Sequence, residues 1–311
     1  MGGMAAHFSP SIRSDERSPS GAIAAKARCA TIVAVGDVHG ELDALREILR
    51  HAELLGDQDQ WVGRETVLVQ TGDVIDRGPK SKEAYSLLAR LQGEAPKTGG
   101  KVVRLLGNHE LAILQGNTGY ANFQGIAEFQ RLLLQDVFAG NVRAAFAGEG
   151  YLFTHAGLRT ELGKCLLGGA TREPGRCDAE ILAERLNHIF LEAVANRNYQ
   201  HPIFDIGVSR GGARPSGGIF WEDASQIMPA ARAGALPQVF GHTQYRKIQI
   251  SPCASRVAID VGIQPYGGRA YLAIRAGKPS AQNAGAEWPK ANLVREAARS
   301  RASSHYMFRT A

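Results

Sequence analysis

A chain of 311 residues, 44% apolar and 21% charged, has the length of two average domains or one large α/β unit and can bury a sizeable core, which excludes disorder throughout. No stretch approaches the roughly 18 uninterrupted apolar residues of a membrane-spanning helix. The formal charge of +6 sits at the two ends: residues 1–30 hold four basic and two acidic side chains, residues 278–311 six and two, and the body between holds 26 of each sign. That balance argues against the basic surface a nucleic-acid partner needs.

Residues 1–28 are rich in Ser, Arg and small residues without periodicity and read as a disordered tail. They contain no apolar signal core, and Ala6 stands where a myristoylation signal wants Ser or Thr. From residue 29 to 277 the chain reads as a single domain. The segment TIVAV at 31–35 reads as a strand that stops at GDVHG, and 41–52 (ELDALREILRHA) has helical periodicity. The pattern repeats: TVLVQ at 66–70 stops at TGDVIDRG and a helix is expected over 79–91, while KVVRLL at 101–106 stops at GNHE before a helical 110–114. Further strands are expected at 151–153, ending at THAG, and at 238–240, ending at GHTQ; 179–194 reads as a long helix, and 256–259 and 270–274 as closing strands. Short, β-branched, non-alternating runs suit strands buried on both faces, and strand followed by helix implies a largely parallel α/β sheet. Residues 278–311 read as a mostly disordered basic tail, with NLVREAAR at 292–299 as its one helical stretch.

The polar residues collect where these strands stop. His39, His109, His155 and His242, four of nine histidines, lie there with Asp37, Asp73, Asp76 and Asn108. Each taken singly is explained by a turn or a helix cap; their recurrence at five strand ends is not, because an open α/β sheet gathers those ends along one ligand-binding edge. Imidazole, carboxylate and amide donors suit divalent metals of borderline softness. Three histidines, two aspartates and an asparagine exceed the needs of one ion and match two ions that share a carboxylate. The glycine directly before a candidate ligand at four of these ends (Gly36, Gly72, Gly107, Gly241) permits a tight turn, and the absence of GxxxxGK[ST] and GxGxxG patterns argues against a P-loop or dinucleotide fold.

The ordered set GDVHG, GDVIDRG, GNHE, THAG and GHT resembles the calcineurin-like metallophosphoesterases, and the GDVIDRG and GNHE forms resemble their phosphoprotein phosphatase group, over residues 31–274. The resemblance implies an α/β four-layer sandwich, two central sheets flanked by helices, with a dimetal centre at the strand ends. Carried over by motif, Asp37, His39 and Asp73 are the ligands of a first ion, and Asp73, Asn108, His155 and His242 those of a second. His109 is the general acid, oriented by Asp76, and Arg77 and Asn108 bind substrate phosphate. A second phosphate-binding arginine is expected before the last histidine: Arg210 in SRGG, with Arg214 as the other candidate. The chain has Trp221 followed by Glu222 where relatives often have Trp followed by Arg. AIDVGIQPYGG in place of a SAPNYC-type segment, and THAGL in place of an HGG motif, resemble the bacterial-type branch that includes the Shewanella-like protein phosphatases.

The implied function is hydrolysis of phosphomonoesters on phosphoproteins, Ser/Thr or Tyr, or on small phosphate esters, by a metal-bridging hydroxide. Two divalent ions are implied, manganese in vitro, with iron and zinc as the other candidates. A diadenosine tetraphosphate hydrolase is the alternative enzyme, and a non-catalytic scaffold of the same fold the alternative of another class. Cys29, Cys165, Cys177 and Cys253 are too scattered for a disulfide framework. Reduced thiols in a cytoplasmic protein are therefore expected, a local Cys165–Cys177 bridge being the other reading.

Overall fold

The computed structural model describes residues 30–119, 121–168 and 176–285. The expected tails at 1–28 and beyond 285, with the helical stretch 292–299, lie outside the described residues. In chain order the strands are β1 (Ile32–Val35), β2 (Val67–Gln70), β3 (Lys101–Leu105), β4 (Val142–Arg143), β5 (Ala145–Gly148), β6 (Tyr151–Thr154), β7 (Gln238–Phe240), β8 (Gln249–Ile250), β9 (Arg256–Ala258), β10 (Ala270–Arg275) and β11 (Lys278–Asn283). The longer helices are α1 (Leu42–His51), α2 (Ser81–Glu94), α3 (Asn108–Leu114), α4 (Ile126–Phe138), α5 (Thr160–Leu167) and α6 (Asp178–Asn196).

The strands form two mixed sheets, ordered β11-β10-β1-β2-β3-β4 and β5-β6-β7-β9-β8. Within the first, β1 to β4 run parallel, and within the second, β6, β7 and β9 do. Every residue of β1 and β6 is buried, as expected of strands covered on both faces. On α1, Leu42, Leu45, Ile48 and Leu49 lie at helical spacing and are buried. The α2 helix packs on β3, and α6 packs on β5 and β6, which completes the expected four layers. The chain passes from one sheet to the other at Ala144. There Asn187 of α6 accepts from Ala144 N (2.9 Å) and Ala145 N (3.0 Å) and donates to Ala145 O (2.9 Å), fixing the crossover.

Three features differ from the sequence reading. The sheet edges are antiparallel: β10 pairs with β1, and β11 pairs with β10 in register from Arg275 with Lys278 to Ala270 with Asn283. The boundary expected at 277 is therefore too early, since a strand of the first sheet begins at Lys278. Its signal was the two-residue turn Ala276-Gly277, both at positive φ (50° and 70°), the geometry that matches the twist of a hairpin. Helices α4 and α5 were not anticipated. No helix among the described residues is long and apolar enough to cross a membrane, and Cys165, Cys177 and Cys253 are free, exposed thiols.

A buried ion pair ties α2, β3 and α4 together. Arg104, 3% exposed, places Nη2 2.9 Å from Asp136 Oδ2, donates from Nε to Gln92 Oε1 at 2.8 Å and lies 4.9 Å over the Tyr85 ring, whose hydroxyl donates to the same Asp136 oxygen at 2.6 Å. Removing one partner of such a pair leaves an uncompensated buried charge, at a cost of about 3–5 kcal/mol. Asp136→Ala should show a loss of that size in denaturant unfolding. Arg131→Ala, at an exposed pair with Glu128, should leave stability nearly unchanged.

Candidate metal centre

The carboxyl ends of β1, β2 and β3 from one sheet meet those of β6, β7 and β9 from the other, and the loops that follow them supply the polar residues. Backbones approach closely here. A Cβ at Gly107 would stand 2.1 Å from Asp73 Oδ1, and one at Gly241 2.3 Å from Asp37 Oδ1, so only glycine fits. Gln70, fully buried at the end of β2, donates to Gly72 O (2.7 Å) and accepts from Gly72 N (3.0 Å), shaping the turn into Asp73. His39, Asp73, Asp76, Arg77 and His242 all adopt positive φ, between 48° and 67°. For residues other than glycine that conformation costs about 1 kcal/mol or more each and is held only by surrounding structure.

Two groups of donors share Asp73: His39, Asp73 and His109, and Asp73, His155 and His242, with ligand atoms within 4.8 Å of one another in each. Asp73 Oδ2 lies 3.5 Å from His39 Nε2 and 3.7 Å from His155 Nε2. Each of these rings donates its Nδ1–H to a carbonyl, His39 to Ile75 O (3.0 Å) and His155 to Thr71 O (2.9 Å). That leaves the Nε2 lone pairs directed at the shared carboxylate, as metal-ligating imidazoles require. Asn108 Oδ1 is 2.9 Å, and His242 Nδ1 3.1 Å, from His155 Nε2. The expected ligand Asp37 stands farther off: Oδ2 is 4.0 Å from His39 Nε2, while Oδ1 accepts from His242 N at 3.1 Å.

Electrostatics favour cation binding. Burial pushes His39 down to about 3, and burial then the Arg210 charge push His242 well below its usual value; His155 is lowered by burial as well. These imidazoles are therefore neutral, the form that binds metal. Burial alone would raise Asp73, but attraction to the charged form of the surrounding imidazoles, His155 and His109 foremost, outweighs it and favours the ionised carboxylate; of these rings His109 is the one held above its ordinary value. Asp37 is raised by burial, then by the neighbouring Asp260 and Asp73 carboxylates. The donors fit divalent ions on chemistry: neutral nitrogens, carboxylates and an amide oxygen, closely spaced and buried except for the half-buried His242.

His109 occupies a different position from the other histidines. Its Nδ1 lies 2.7 Å from Asp76 Oδ2, its backbone N donates to Asp73 Oδ1 at 3.0 Å, and its Nε2 faces Arg77 Nη2 at 3.5 Å. Burial by itself lowers its pKa, but the Asp73 and Asp76 carboxylates outweigh it and hold the imidazole above its ordinary value. Arg77 is exposed. Arg210 donates from Nη2 to Thr243, next to His242, and pairs with Asp223 Oδ2 at 2.9 Å. Arg214, 60% exposed, pairs with Asp205, so of the two candidates Arg210 is the one brought to the centre. Trp221 sets its ring edge-on to His242 with centroids 5.9 Å apart, and Glu222 is buried against Arg159 at 3.3 Å.

Two acidic residues at the site escaped the sequence reading. Glu110 accepts from four backbone amides: Asp73 and Gly107 (both 2.9 Å) at Oε2, and Val74 (2.8 Å) and Ile75 (3.3 Å) at Oε1. Burial, then Asp73, push its carboxyl up to about 7. The signal was its place three residues after Gly107, as in a capping box. Asp260 is buried just beyond β9, a sixth strand end.

A family model described as calcineurin-like phosphoesterase matches residues 30–244. Among curated proteins, the chain is 44% identical over 98 residues to Shewanella-like protein phosphatase 1 of Plasmodium berghei, a match covering 32% of this chain and 27% of that protein. It is 38% identical over 86 residues to a symmetrical bis(5'-nucleosyl)-tetraphosphatase of Psychromonas ingrahamii, covering 27% and 26%. The chain thus spans about a quarter of the length of these curated relatives. The crystal structure of a cold-active protein-tyrosine phosphatase of a psychrophilic Shewanella species has the same fold, with a TM-score of 0.58 at 19% identity, covering 81% of this chain and 80% of that one.

Glu110→Gln keeps the shape but turns an amide NH2 toward two backbone N–H groups. Metal-free protein should lose roughly 2–4 kcal/mol in denaturant unfolding. Wild-type stability in that variant would show that the turn carrying Asp73 is held by something else.

Proposed function

The chain belongs to the calcineurin-like phosphoesterase family, and from that premise we propose that it is a phosphatase dependent on two divalent ions and acting on phosphoproteins. The observation that carries this reading is the pair of donor groups sharing Asp73, in the first of which His109 is tied through Nδ1 to Asp76. Asp37, His39 and Asp73 would hold one ion, and Asp73, Asn108, His155 and His242 the other. Bound there, divalent ions supply Lewis acidity and neutralise charge on the phosphoryl oxygens.

The chain's own residues do the rest. Arg77 and Arg210 bind phosphate oxygens from two sides, guanidinium planes being suited to paired oxygen acceptors, and Asn108 also faces the phosphate. Asp76 accepts the Nδ1–H of His109, which fixes the ring so that Nε2 delivers its proton to the leaving oxygen. Manganese is the ion proposed for assays in vitro. A complete ligand set with an acid beside it speaks against the scaffold alternative.

The phosphoprotein substrate is carried from the phosphatase relative. The tetraphosphatase relative favours a second reading, hydrolysis of dinucleoside polyphosphates. Phosphopeptides and diadenosine tetraphosphate offered with manganese should separate the two: kcat/KM is expected to be higher on phosphopeptides. Faster turnover of the dinucleotide would establish the second reading, and undiminished turnover after verified removal of metal would reject both.

His109→Asn should lower turnover of a phosphomonoester with a poor leaving group by about 10²–10⁴ while metal content stays at the wild-type level. An activated aryl phosphate, which leaves without protonation, should lose much less. The acid must be protonated, so activity is present below the His109 pKa and lost as pH rises through it. Asp76→Asn removes an anion that raises that pKa; the alkaline limb of kcat/KM should therefore move to lower pH. A limb that stays in place would assign the acid elsewhere.

A further inference from the structure

Asp260 is unused by the function just described. It lies beyond β9, the sixth parallel strand to end at the centre, and is 1% exposed. Its backbone is packed against that of Gly36: a Cβ at Gly36 would stand 2.7 Å from Ile259 O and 3.0 Å from Asp260 Cα. Its carbonyl accepts from Tyr245 N at 2.9 Å, three residues after His242, so Asp260 is fixed between two loops that carry candidate ligands. One carboxylate oxygen accepts from Gly262 N at 2.8 Å. The other, Oδ2, is buried without a hydrogen-bond partner. An ionised oxygen in that position is costly unless a cation or an ordered water meets it. Through the packing on Gly36, the residue before Asp37, two buried carboxylates lie on adjoining backbones, and such a pair is what a divalent cation neutralises best.

We propose that Asp260 is a further carboxylate of the metal centre, serving the ion on the Asp37–His39 side. The inference rests on the two-ion reading and adds to its ligand set. It gives the first ion carboxylates from both sheets, so that loading this position also ties the sheets together at their ends.

The test is manganese binding to chelator-stripped protein, followed by calorimetry and elemental analysis, in wild type and Asp260→Asn. One of the two equivalents should weaken by about 10–100-fold, the range seen when a group supporting a metal site is removed, while the other keeps its affinity. Metal-free Asp260→Asn should melt at or above the wild-type temperature, because a buried charge has been removed. Wild-type affinity for both equivalents overturns the proposal. So does a metal-free variant that melts well below wild type and weakens both sites alike, since the role is then structural. Unchanged manganese binding with weaker inhibition by inorganic phosphate would make Asp260 a counter-charge to Arg77 and Arg210, also against the proposal. If wild-type protein binds no manganese, the two-ion reading itself fails, which is a separate result.

Discussion

Like charges buried close together are the constraint around which this fold is organised. Asp37, Asp73, Asp76, Glu110 and Asp260 are all buried where two sheets meet, and a carboxylate in such a place survives only if hydrogen bonds, cations or a proton compensate it. The compensation differs among them. Asp73 is surrounded by imidazoles, Glu110 by four backbone amides, and Asp76 is tied to His109. Asp37 and Asp260 have one amide partner each and are raised by burial, which leaves the greatest need for a cation on their side of the centre.

The turn from Asp73 to Gly78 shows how that arrangement is kept. Asp73, Asp76 and Arg77 are in left-handed conformations that the free chain would leave. Glu110 holds the amides of residues 73–75 from α3, and Ser81 Oγ of α2 accepts from Asp76 N at 2.9 Å. Strain is thus stored at the carboxylate shared by the two donor groups and balanced by contacts from two helices. The return is direction: Asp73 points to both donor groups while Asp76, three residues on, orients His109.

The rim is held in a similar way. Thr243 receives Arg210 and also accepts from Ala224 N at 3.0 Å, while Asp223 both pairs with Arg210 and caps the short turn that follows. A guanidinium held at two points loses less freedom on meeting phosphate than a loose one. Arg77 is exposed and faces His109 Nε2 at 3.5 Å.

The short apolar runs and the motifs at their ends were legible in the sequence because they are local. A buried strand must be apolar throughout, and a ligand at its end must follow a tight turn, so TIVAV-GDVHG or TVLVQ-TGDVIDRG carries strand, turn and donor within a dozen residues. The same logic implied a largely parallel α/β sheet, since strand and helix alternate, whereas the four layers were implied by the resemblance those motifs carry. What sequence left open is decided by contacts between distant segments. Whether Arg210 or Arg214 reaches the centre depends on Thr243 and Asp223; the pairing of β11 depends on a two-residue turn whose effect exists only beside β10. The roles of Glu110 and Asp260 depend on which amides and which carboxylates face them across the meeting of two sheets. Periodicity along a chain reports what each segment buries. It cannot report which charges burial brings together, because that is set by the packing of one sheet on the other.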